Sequence, residues 1–123
     1  MAFSLRDTLT IFEELPVPIR SIRLGGGGAR SPLWRQIQAD VYHRAVETVV
    51  VDEGAAFGAA MLAGIGAGIW RDIDEVSDSL IRTTVAACPD PESAALMNER
   101  YAAYRRLYPA LRMLYEQPSF VPN

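Results

Sequence analysis

Apolar residues recur early in the chain at a helical interval. Leu5, Leu9, Phe12 and Leu15 fall on one face, Ser4-Leu5-Arg6-Asp7 reads as a capping box, and Pro16 and Pro18 end the run. The pattern predicts an amphipathic helix. Residues 19–24 change rhythm: branched side chains dominate and Ile22 and Leu24 share a face, which predicts a short strand. A second helix is expected over 32–42, with Ser31 as N-cap, Pro32 at the first helical position, and Leu33, Ile37 and Val41 as its core-facing stripe. Residues 46–51, VETVVV, are almost continuously apolar, as a parallel strand covered on both faces tends to be. Residues 19–51 thus read as a βαβ unit with a right-handed crossover.

Asp52 is placed to cap a Gly- and Ala-rich helix over 53–67, narrow enough to lie close against a sheet or another helix. The same small residues suit the floor of a ligand pocket, although tight packing explains them as well. Gly64, Gly66 and Gly68 close this helix. Residues 72–80 predict a short helix with Ile73, Val76 and Leu80 inward, and 81–87 an extended connector. Asp90 and Pro91 repeat the cap-plus-proline start. They open a long helix on which Met97, Tyr101, Tyr104 and Tyr108 share a face, to be kinked or ended at Pro109. Residues 117–123 read as a loose tail after a unit spanning 1–116. The class is α/β, with a βαβ core of parallel strands and flanking helices.

Between the first strand and the second helix stand four glycines, Gly25 to Gly28. Glycine holds no side chain against a ligand and tolerates positive backbone torsions, so this stretch can turn sharply and aim its amides outward. The positive end of the 32–42 helix faces the same point. A tight strand-to-helix turn also needs glycine when nothing binds, so both readings stand. GGGGAR lacks the Lys-Ser/Thr pair of a P-loop, and only Asp52 comes near the acidic position of a dinucleotide-binding fingerprint.

Composition narrows the choices. The 123 residues suit one domain, half of them are apolar, and the net charge is -3. All twelve basic residues are arginines scattered along the chain, which gives no footprint for nucleic acid. One cysteine, Cys88, excludes an internal disulfide framework, and no charged leader with an apolar core opens the chain. A cytoplasmic location is expected. Residues 55–69 are apolar but too short and too rich in glycine for a membrane span.

The chemistry-bearing residues have ordinary structural explanations beside functional ones. His43 is the only histidine and has no second ligand near it, so a solvated helix end accounts for it better than a metal. Cys88 lacks a histidine partner. Asp52 and Glu53 lie at a strand's end, where ligands of α/β folds bind, and equally serve as a helix cap and first-turn acid. Trp34 and Arg35, in the first turns of the glycine-loop helix, are in reach of a base or phosphate, while core and solvent are their commoner places.

Taken together, LGGGGARSPLWRQIQAD, VVVDEGAAFGAAMLAGIGAG and NERYAAYRRLYPAL resemble the C-terminal part of the FGGY carbohydrate kinases, xylulokinases in particular, over nearly the whole chain. The resemblance implies a partial actin-like ATPase (ribonuclease H-like) domain. It also implies that the glycine loop is the adenosine motif of an ATP site, with Mg²⁺ used by the parent enzyme. Gly26, Gly27, Gly28 and Ala29 would then line the nucleotide, Ser31 would sit near the base, and Arg35 would flank it. Gly25 departs from the Thr, Ser or Asp of many relatives, and His43-Arg44-Ala45 from their usual turn.

Family members are several times longer, with a sugar-binding domain, phosphate loops and an aspartate base that match nothing before Ser21. Phosphoryl transfer needs an in-line nucleophile, Mg²⁺ and charge stabilisation at the γ-phosphate, so no catalytic residue is expected here and the chain alone is expected to be inactive. The expected parent function is transfer of the γ-phosphate of ATP to a ketopentose such as D-xylulose. The alternative is a non-catalytic nucleotide-binding or oligomerisation module. Two parallel strands leave uncovered edges and faces, so a homo-oligomer is expected too. ATP or ADP is the expected partner, the sugar only in the full enzyme, with neither nucleic acid nor membrane.

Overall fold

The structure, a computed structural model, describes residues 1–16, 18–50 and 54–115. Its elements are α1 (Ala2–Glu13), β1 (Arg23–Leu24), a 3-10 turn (Gly27–Arg30), α2 (Pro32–Tyr42), β2 (Val46–Val49), α3 (Gly54–Gly66), α4 (Ile73–Leu80), β3 (Thr83–Ala87) and α5 (Pro91–Tyr115). β1 and β2 pair in parallel, Arg23 opposite Glu47 and Leu24 opposite Thr48, with α2 as the crossover, so the expected βαβ unit is present. The expected connector over 81–87 is instead largely a strand. β3 lies antiparallel on the far side of β2 and completes a three-stranded sheet of order β1-β2-β3. Thr-Thr-Val-Ala-Ala is too short and too weakly alternating to announce itself, and pairing with β2 decides its conformation.

The core gathers around the last turns of α2. Ala39, Val41, Tyr42 and Val46 are buried, with Phe3, Leu9, Ile22, Ile37 and Met97 among the residues packed against them. Gln38 to Tyr42 are buried without interruption because α1, α5 and β3 enclose this end of the helix, while its first turn projects outward. Leu33, expected inside, is therefore 71% exposed. The buried polar side chains in the last turns of α2 are hydrogen-bonded. The Tyr42 hydroxyl donates to Gln38 Oε1 at 3.0 Å, and burial pushes its phenol pKa up. Asp40 Oδ1 accepts from Gln36 Nε2 at 2.9 Å and from the Asp90 amide at 2.8 Å, and Gln36 Nε2 also donates to the Cys88 carbonyl at 2.9 Å. These bonds tie the β3–α5 connection to α2.

α1 begins three residues earlier than a capping box at Ser4 requires, with Met1 rather than Ser4 at the N-cap. Ser4 Oγ donates to the Met1 carbonyl inside the first turn, and Asp7 accepts the Tyr101 hydroxyl at 2.6 Å. Phe3 explains the shift. Its ring sits 5.8 Å from that of Tyr101 and 5.5 Å from that of Tyr104, an aromatic contact that outweighs a cap and needs Phe3 in the helix. Arg6 lies 4.1 Å over the Tyr101 ring and donates to Asn98 Oδ1 at 2.8 Å. Burial, and next the bond to Asp7, raise the pKa of Tyr101. The tyrosine face of α5 thus packs through Tyr101 and Tyr104 but not Tyr108, which is exposed, and Pro109 does not end the helix, which runs on to Tyr115. One missing amide costs a single rung, and helix-favouring Ala and Arg residues flank it.

α3 and α4 pack chiefly on each other. Asp72 caps α4 by accepting the Glu75 amide at 2.9 Å, and Val76 is buried while Ile73 is exposed, against expectation. The Trp70 ring occupies the place where a Cβ on Gly64 would stand. The proposed cap Asp52, Glu53 and the tail over 117–123 lie outside the described residues.

Candidate functional site

β1 delivers the chain into the glycines, and Gly26, at φ 72° and ψ −173°, makes the turn in a region that side chains disfavour. The Ala29 amide donates to the Gly26 carbonyl at 3.0 Å and the Ser31 amide to the Gly28 carbonyl at 3.2 Å. A 3-10 turn leaves its first amides without an acceptor of its own, here those of Gly27 and Gly28. A Cβ on Gly25, Gly26 or Gly27 would meet nothing within 4 Å, so this face of the loop is bare, open backbone. Gly28 is different: a Cβ there would stand 3.1 Å from Trp34 Cδ1, so the indole backs the loop closely. Ser31 Oγ accepts the Trp34 amide at 3.3 Å with Pro32 beside it, and the electropositive end of α2 opens next to the glycines.

At the C-terminal ends of β1 and β2 lies a cleft of about 300 Å³ lined by Leu24, Ala29, Arg30, Arg35, Thr48 and Val49. Ligands of α/β folds collect at such strand ends. Arg35 lines this cleft, and its Nε is buried in the protein without a hydrogen-bond partner among the described residues. Of the residues named from sequence, Ala29 and Arg35 line the cleft. Gly26, Gly27 and Gly28 precede Ala29 on the exposed loop, and Ser31 caps α2. Arg30 and Thr48 were not foreseen, although the strand-end rule pointed to their positions.

A second, larger groove of about 420 Å³ shares Leu24 and Ala29 with the cleft and runs between α1 and β1. His43 ends α2 in the left-handed conformation at φ 55° and is exposed, as a solvated helix end should be. Cys88 is exposed. Among the described residues no group of three or more His, Cys, Asp or Glu is placed to hold a metal ion, and no helix is long and apolar enough to cross a membrane. The donor set at the cleft, two arginines beside open glycine amides, suits a nucleotide's acceptor-rich base and phosphates.

The family described as "FGGY family of carbohydrate kinases, C-terminal domain" matches residues 1–67. A xylulose kinase of Bacillus subtilis is 30% identical over 108 residues, 88% of this chain and 22% of the relative. An autoinducer-2 kinase of Salmonella paratyphi B is 35% identical over 94 residues, 76% of this chain and 18% of the relative. The crystal structure of xylulose kinase from Rhodospirillum rubrum superimposes with a TM-score of 0.76 at 30% identity, covering 94% of this chain and 24% of that one. The chain spans about a fifth of the length of the curated relatives it matches. The fold is that of the actin-like ATPases, in a mixed α/β segment with a small sheet and flanking helices.

Proposed function

Because the chain belongs to the FGGY family of carbohydrate kinases, through their C-terminal domain, we propose that it forms the adenosine-holding side of an ATP site in a xylulose kinase-like enzyme. The reaction of that enzyme is transfer of the γ-phosphate of ATP to a ketopentose such as D-xylulose, in the cytoplasm. The observation that carries the reading is the bare glycine turn at the head of α2, opening beside the cleft that Arg35 lines. Gly26, Gly27, Gly28 and Ala29 let backbone approach the ribose and α-phosphate. Ser31 fixes the start of α2 near the base, and Arg35 flanks it. No residue of this chain is assigned to the bond-making end, where Mg²⁺ supplies charge neutralisation on the phosphates. The 123-residue chain alone is therefore a nucleotide-binding module without turnover.

Calorimetric titration with ATP and ADP tests this. Gly27→Leu is the informative variant: nothing lies within 4 Å of a Cβ there, so the chain folds, but a side chain now covers the ligand face. Gly27→Leu and Arg35→Ala are each expected to weaken nucleotide binding tenfold or more with unchanged circular dichroism. Nucleotide affinity untouched by both, or ATP- and D-xylulose-dependent ADP release by the isolated chain, refutes the assignment.

A further inference from the structure

Four glycines in a row give the loop no side chains of its own to hold it in place, and ordering glycine costs more backbone entropy than ordering any other residue. Its internal bonds are short-range and few: the Ala29 amide to the Gly26 carbonyl at 3.0 Å and the Ser31 amide to the Gly28 carbonyl at 3.2 Å. At Gly25, Gly26 and Gly27 a Cβ would meet nothing within 4 Å, so nothing braces these three from the side-chain direction. Gly28 is the exception. A Cβ there would stand 3.1 Å from Trp34 Cδ1 and 3.2 Å from Trp34 Nε1, closer than ordinary van der Waals contact, so the pyrrole side of the indole lies directly against the backbone of the turn.

Trp34 does not serve the core. It is half-buried in the first turns of α2, the buried cluster gathers around the last turns, and among the described residues Trp34 is not one of those packed on that cluster. Nor does it line the 300 Å³ cleft. Arg35, its neighbour in sequence, does, whereas Trp34 lines the 420 Å³ groove together with Gly25 and Ala29. Successive side chains of α2 thus go to different tasks, one to the cleft and one to the back of the loop. The Trp34 amide donates to Ser31 Oγ at 3.3 Å, which ties the root of the indole to the residue that closes the turn.

We propose that Trp34 is a positioning residue for the nucleotide loop: its indole braces Gly28 and holds the glycine turn in its open shape before a ligand arrives. The consequence for affinity rests on the proposed nucleotide role, since a loop ordered in advance loses less binding free energy to ordering. The same contact separates the glycines by cause. Gly26 makes the turn at a φ of 72°, Gly27 presents an open face, and Gly28 is glycine because the indole takes the space a side chain would need.

Hydrogen exchange of the nucleotide-free protein, combined with calorimetric titration by ATP, tests the brace. Trp34→Ala is expected to speed exchange at the Ala29 and Ser31 amides about fivefold or more and to weaken ATP binding about tenfold, with circular dichroism unchanged. Trp34→Phe keeps a ring beneath Gly28 and is expected to recover most of both. Gly28→Ala displaces the indole without removing it, so it should loosen the same amides and weaken binding about fivefold, yet add nothing in the Trp34→Ala background, where its Cβ has room. Factors that simply multiply in the double variant overturn the brace. So does weaker ATP binding by Trp34→Ala with loop exchange unaltered, which would set the indole against the ligand itself, and so does faster loop exchange with ATP affinity retained. If the unaltered protein binds no ATP, the nucleotide reading fails and loop exchange alone decides: faster in Trp34→Ala and restored in Trp34→Phe supports the brace, and unchanged in both overturns it.

Discussion

α2 and α3 each follow a strand in the same β-to-α rhythm, yet they end in opposite circumstances. α2 is the more polar of the two and has five consecutive buried residues, Gln38 to Tyr42. α3 is almost wholly apolar, and only Met61 and Gly64 are buried. Composition did not decide this. α2 is enclosed by α1, α5 and β3; Tyr42 and Gln38 hydrogen-bond to each other within the helix, and Asp40 accepts the Asp90 amide just before α5. α3 has only α4 to lean on among its main contacts, so most of its Ala residues and Leu62 face outward. Burial follows from what surrounds a helix, and a mutation should be felt accordingly.

The largest contrast is expected from one charge placed in each region. Val41 is 1% exposed, and Val41→Asp buries an unpaired carboxylate at a cost of about 4 kcal/mol or more, enough to unfold a small open domain. Leu62 is 64% exposed on the more apolar helix, and Leu62→Asp should stay within about 0.5 kcal/mol of the parent. Urea unfolding followed by circular dichroism reads both. Equal losses would mean that α3 belongs to the same cooperative unit as α2.

A smaller effect probes α3 from within. Trp70 fills the space above Gly64, so Gly64→Ala must displace the ring or open the α3–α4 pair, at about 1–3 kcal/mol for that pair alone. In a Trp34→Phe background, Trp70 fluorescence should shift at lower urea while the far-ultraviolet transition of the α2 core holds. Adding Trp70→Leu should recover most of the loss, read by hydrogen exchange in α3 and α4 since that variant carries no Trp70 fluorescence. A common shift of both signals would join the two regions.

The same contrast explains what the residues disclosed in advance. Rhythm changes, the Ser31-Pro32 and Asp90-Pro91 starts and the glycine run are local, and the βαβ unit, α2 and the start of α5 follow from them. Facing is not local. Leu33 and the stripe of Leu5 and Phe12 look inward by periodicity, but the neighbours of α2 and α1 lie on other sides. β3 escaped because five residues with a single Val take their conformation from β2. At the cleft, Ala29 and Arg35 were marked by resemblance. Arg30 and Thr48 enter through the meeting of two strands' ends, which no single stretch of sequence displays.

The smallest expected effect compares the two helix caps, one in each region. Asp72 caps α4 and Asp90 caps α5, accepting amides of Glu75 and Ser93 at 2.9 Å. Those backbone bonds come first, followed by Arg71 beside Asp72 and the Ser93 side chain beside Asp90, in holding both carboxyls below the usual aspartate pKa. A lowered folded pKa means the unfolded chain binds the proton more readily. The caps therefore stabilise fully above the ordinary carboxylate range near pH 4 and lose that contribution as pH falls through the folded values. α4 has eight residues and a single buried one, Val76, whereas α5 is anchored through Ala94 and Tyr101. Hydrogen exchange, corrected for intrinsic rates, should show α4 losing protection between pH 5 and about pH 2.5 while α5 keeps its own. Asp72→Asn retains a capping oxygen without the titration and should flatten the response in α4. Fraying of α5 first would reverse the ranking of the two regions.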